Sequence, residues 1–172
     1  MASLIEDLIE TLEMEIKEYT KLLELSEKKT PIIVKGDMEK LREITDDEQS
    51  VADRIVNLDL KRNVITKDIA GVLNTDVETL KLSVLIQVLE RRPVEQQQLA
   101  DVRDRLKTVV DSVKMINDNN RELIKHSLEM VEFDLNLIKS MRQAPETNNY
   151  GKSAVNSGEF LGGTRGGFDA KQ

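Results

Sequence analysis

The sequence predicts an all-α fold: an elongated antiparallel bundle of about three long amphipathic helices plus one short helix, packed like a coiled coil. Three observations carry that prediction. Apolar residues recur at alternating spacings of three and four through most of the first 142 residues, the seam of one helix lying along another. The 172 residues are 33% charged and 3% aromatic, with no Trp and no Cys, a composition of long helices rather than of a mixed α/β core. The breakers Pro31, Gly36, Gly71 and Pro93 fall at the edges of the periodic runs.

The first run carries Ile5, Ile9, Leu12, Ile16, Tyr19 and Leu23 on its seam, widened by Leu4, Leu8 and Leu22. Ser3 with Glu6 reads as a capping box at its start. Pro31 makes Thr30 a poor helical residue, so the helix is expected to end or kink there, with Gly36 closing the segment. Asp37 then reads as the N-cap of a second helix. Its seam runs Leu41, Ile44, Glu48, Val51, Ile55, Leu58, Arg62, Ile65, Ile69 and Val72, over roughly 50 Å. Glu48 and Arg62 are polar seam positions, which either fix the register or mark where a partner helix is missing. Gly71 and Asn74 point to the end of this helix.

Thr75 and Glu78 have the spacing of another capping box. It would open a short helix with Leu80, Val84, Leu85, Val88 and Leu89. Pro93 fits the first turn of the last helix. That helix has a seam from Leu99 through Val102, Leu106, Val109, Val113 and Ile116 to Asn120, Leu123, Ser127, Met130, Asp134, Leu137 and Met141, over roughly 70 Å. From Leu123 a second apolar stripe accompanies the seam: Ile124, Leu128, Val131, Leu135 and Ile138, with Phe133 adding apolar surface. One neighbour does not need so wide a face. Either two neighbours cover it, the first helix among them, or part of it is free for a partner. The last helix therefore either projects past the bundle or receives the first helix along its C-terminal half.

Two regions follow: a helical domain, residues 1–142, and a C-terminal tail, residues 143–172. The tail holds six of the eight glycines, and its composition predicts flexibility. It also holds two of the three phenylalanines, Phe160 and Phe168, with Leu161 beside the first.

The charge is −7, with most of the excess before Gly71. An acidic surface repels phosphates, so nucleic acid is not an expected partner, nor is direct binding to an anionic membrane. No stretch is apolar enough to span a bilayer, and the N-terminal residues do not resemble a secretory signal. The expected location is the cytoplasm. No catalytic residue, metal ligand or cofactor is expected. His126 is the one histidine, and beside Glu122 and Glu129 it reads as a half-exposed surface residue. GGTRGG (residues 162–167) follows no strand and reads as linker, not as a phosphate loop.

Asn120-Arg-Glu-Leu-Ile124 followed by Ser127-Leu128 resembles the flagellar export chaperones of the FlgN family. Val34-Lys-Gly-Asp-Met-Glu-Lys-Leu41 resembles the family's Gly-Asp turn between the first two helices, and Phe168-Asp-Ala-Lys-Gln172 resembles the end of some members. The resemblance implies a non-enzymatic cytoplasmic chaperone. Such proteins bind the C-terminal helical ends of hook-associated proteins, keep them from assembling early, and deliver them to the membrane export gate. It places client binding on the C-terminal helical region, here Leu123, Ile124, Leu128, Val131, Leu135 and Ile138. Phe160, Leu161 and Phe168 then become anchors on a tether that covers the empty client face or clamps the client; the other reading is an inert tail. The alternative function is a self-associating coiled-coil scaffold with no client, and long apolar seams can also form a homodimer when no client is present. A regulatory bundle ranks below these and an enzyme last.

Overall fold

The computed structural model describes residues 2–143. Phe160, Leu161 and Phe168 lie outside the described residues. The chain divides after Asp134 into two units, and α4 belongs to both. The described elements are α1 (Ala2–Lys35), α2 (Met38–Leu73), α3 (Leu82–Val88), a 3-10 turn (Leu89–Arg91) and α4 (Pro93–Gln143), and there is no strand among the described residues.

Ala2 is already helical, so Ser3 lies inside the first turn and is not the cap. Pro31 also lies inside α1, which continues to Lys35. The missing N–H at Pro31 deprives only the Glu27 carbonyl, and Glu27 is exposed, so water can take that group. Tertiary contacts on both sides of the proline hold the helix together: Ile33 is buried, and Thr30 donates to Asn120 of α4. The helix stops at Gly36, with φ of +67°. Gly36 N donates to Ile33 O at 3.0 Å and Asp37 N to Ile32 O at 3.3 Å, the paired bonds of a Schellman close. Asp37 caps α2 at once, accepting from Lys40 N at 3.1 Å. That backbone bond holds the Asp37 carboxyl below its usual range. Asn74, at φ of +53°, ends α2 in the same way.

The capping box at Thr75 does not form. Glu78 N donates to Asp76 Oδ1 at 3.2 Å, while the Thr75 hydroxyl turns back to Leu73 O. Asp76 competes successfully for the amide that Thr75 would have taken, and a turn results. α3 starts later, at Leu82. Leu80, Leu85 and Leu89 close one end of the core, among Ile5, Leu8, Leu12, Ile65, Ile69, Leu99, Val102 and Leu106. Gln96 Nε2 donates to Ile86 O at 2.9 Å and ties the start of α4 to that plug.

The polar bridges give the helix directions. From α1 to α2, Glu15 meets Arg62, Glu18 meets Arg54 and Lys29 meets Glu48; numbers rise on one helix as they fall on the other, so the pair is antiparallel. From α1 to α4, Glu13 meets Arg105, Ser26 meets Asn117 and Thr30 meets Asn120; these rise together, so α4 runs parallel to α1 and antiparallel to α2. The bundle is thus up-down-up.

Candidate functional site

α4 loses its buried contacts beyond Asn120. Thr30 and Asn120 differ by 90 in number, so the last residue of α1, Lys35, is level with Lys125. Asn120 is the last buried residue of α4 up to residue 142. Its Nδ2 donates to Ser26 O at 2.8 Å and its Oδ1 accepts from Thr30 Oγ1 at 2.7 Å. Ser26 Oγ donates to Glu48 Oε1 at 2.9 Å and lies 3.1 Å from the Asn117 side-chain amide, while Lys29 Nζ reaches Glu48 Oε2 at 2.6 Å. Three helices are therefore pinned in one polar layer. Asn120 and Glu48 serve as register locks.

Leu123 and Ile124 are half-buried, and every residue from 125 to 142 is exposed. Of the six candidate client residues, Leu123, Ile124, Leu128 and Val131 belong to the first unit, and Leu135 and Ile138 to the second. Leu128 is 62% exposed and Val131 54%. Leu135 and Ile138 are also exposed. Met130, Phe133, Leu137 and Met141 are likewise in solvent. The expectation that α1 could cover the C-terminal half of α4 fails, because the parallel register ends α1 too early. Of the alternatives left by the sequence, α4 takes the uncovered one.

Polar residues on this face have local roles. Ser127 Oγ donates to Leu123 O within its own helix at 2.9 Å. His126 Nδ1 lies 3.4 Å from Glu129 Oε2, both exposed. His126 is thus more exposed than the half-exposed surface residue expected. Among the described residues, no group of three or more His, Cys, Asp or Glu could hold a metal ion. No helix among them is long and apolar enough to cross a membrane.

The sequence pattern did not single out Glu15. Its side chain is 2% exposed, and Arg62 Nη1 donates to its Oε2 at 3.0 Å, while Oε1 has no partner. Arg62 also pairs with Asp59. Burial raises the Glu15 pKa; Arg62 pulls it back and Asp59 adds to the rise. The available signal was Arg62 on the α2 seam, which required an acid opposite it.

A model of the FlgN protein family matches residues 1–158. No curated protein and no solved structure matches the chain. With that match spanning every described helix, the chain belongs to the FlgN family, a family of flagellar export chaperones and not of enzymes.

Proposed function

We propose that this chain is a cytoplasmic chaperone that binds the C-terminal helical region of hook-associated proteins, prevents their premature assembly and delivers them to the membrane export gate. One observation carries the client surface: in the first unit Leu128, Met130, Val131 and Phe133 are each at least 54% exposed. Apolar surface concentrated in this way marks interaction sites on soluble proteins. An amphipathic client helix laid against Leu128 and Val131, with Leu123 and Ile124 at the bundle edge, would satisfy that surface without covalent chemistry. Leu135 and Ile138 continue the same spacing. We assign residues 1–142 as the chaperone domain and Phe160, Leu161 and Phe168 as tether anchors in the tail.

The test is light scattering coupled to size exclusion, with a hook-associated protein from the same genome. A heterocomplex of defined mass that is lost with Leu128→Glu supports the reading. A stable homodimer that ignores the client supports the scaffold instead. A chain cut after Gln143 with unchanged client affinity and solubility would refute the anchor role.

A further inference from the structure

A second surface of the molecule has a shape and charge of its own. An open groove runs between α1 and α2. Its wider part has a volume of about 730 Å³, and Met14, Ile16 and Leu58 are its apolar lining residues. Lys17, Lys21, Arg54 and Lys61 rim it, with Glu18 as the single acid. A narrower part of about 340 Å³ continues from Lys21 and Arg54 to Lys28 and Asp47. Together they follow α1 from Met14 to Lys28, about 21 Å or four helical turns. A concavity of that length fits a helix better than a compact small molecule. The α1 residues bonded to α4, namely Glu13, Ser26 and Thr30, are not among its lining residues.

The charge is what selects an occupant. Residues 1–70 hold 17 acidic and 11 basic residues, yet the wider part of the groove has four cations to one anion, and the whole groove, with Lys28, Glu24 and Asp47 added, has five to three. Glu18 is occupied by Lys21 at 2.6 Å and Arg54 at 2.8 Å. Burial works to raise its pKa, but the two hydrogen bonds and charges outweigh burial and keep it ionised. Lys17 and Lys61 have no ion-pair partner among the described residues.

The geometry points to a second docking site, in which the α1/α2 groove takes an amphipathic helix of a partner protein with acidic residues flanking its apolar stripe. The occupant's apolar stripe packs on Met14 and Leu58 and its carboxylates meet Lys17 and Lys61, adding a fourth helix to the bundle. This chain's own uncovered α4 segment is a poor match, because Lys125, Lys139 and Arg142 stand among its acids. The site is separate from the α4 surface and does not depend on its role.

The test uses the full chain and two labelled 21-residue designed helices with one leucine stripe, flanked by Glu in one and by Lys in the other, read by fluorescence anisotropy. The Glu-flanked helix is expected to bind at least tenfold more tightly than the Lys-flanked one, and the variant carrying Lys17→Glu and Lys61→Glu to reverse that preference. Both lysines are exposed and unpaired among the described residues, so circular dichroism should be unchanged. The control Leu128→Glu should bind the helix as the parent does. Equal binding of the two helices, no binding by either at ~100 μM, or binding lost in Leu128→Glu but kept in the double variant would overturn the proposal. So would a dimer of the parent chain that the double variant dissociates, which would make the groove a contact between copies. Oleate displacing the helix at lower concentration than the helix itself requires would reassign the groove to a small amphiphile.

Discussion

Arg62→Ala should be costly at neutral pH and much less so in acid. Glu15 keeps only 2% of its side-chain exposure, whereas Arg62 keeps 29%. Removing Arg62 leaves a buried carboxylate whose Oε1 already has no partner with no partner at Oε2 either. Breaking a buried pair from one side costs about 3–5 kcal/mol. The half-open arginine places this case at the lower end, about 3 kcal/mol at pH 7. The pH dependence follows from the sign of the Glu15 shift. Its folded pKa is raised above the ordinary 4.5 by burial, with Arg62 opposing, so the folded state holds the extra proton. Stability from this group is greatest below the unfolded pKa and is lost as pH rises through the folded one. Without Arg62 the folded pKa rises further, and protonation at acid pH removes most of the variant's penalty. Urea unfolding of parent and Arg62→Ala at pH 7 and at pH 4 reads this directly. The loss should shrink to about 1 kcal/mol at pH 4, the value of the remaining hydrogen bond. In a Glu15→Gln background, Arg62→Ala should also cost only about 1 kcal/mol. A loss independent of pH, or no coupling between the two sites, would refute the reasoning.

Four further outcomes are expected. Asn120→Ala removes one buried and one part-buried hydrogen bond but leaves the Ser26 carbonyl its own helical donor, so chemical denaturation should show a loss of about 2 kcal/mol. Gly36→Ala meets nothing within 4 Å, so its cost is purely that of an L-residue at positive φ, about 1 kcal/mol in thermal or urea unfolding. Pro31→Ala restores a donor to the Glu27 carbonyl and should stabilise by about 1–3 kcal/mol, visible as a higher melting temperature. Leu128→Glu changes an exposed side chain and should alter stability by no more than ~0.5 kcal/mol while reducing client binding in a titration; a large loss of stability would mean that Leu128 is covered.

Several positions were legible because their causes are local. The αL turn at Gly36, the Asp37 cap and Pro93 at the start of α4 depend on a few neighbouring residues, and all three stand where the sequence puts them. Thr75 was misread because two capping chemistries overlapped, and Asp76 won. Pro31 was misread because local propensity argues for a break while Ile33 and Thr30, held from outside the helix, argue against one. The client candidates were visible as an apolar excess, but periodicity could not say whether that excess was covered.

The sequence by itself determined the helices, their seams, most of their ends and the family likeness. These depend on residue spacing and on interactions within a few positions along the chain. Only the tertiary structure decided that α4 runs parallel to α1, that Glu15 lies buried against Arg62, and that α4 is uncovered from residue 125 onward. The reason is that offsets between helices are fixed by contacts such as Thr30 with Asn120, 90 residues apart. A heptad seam accepts several such offsets, and the buried polar pairs select one.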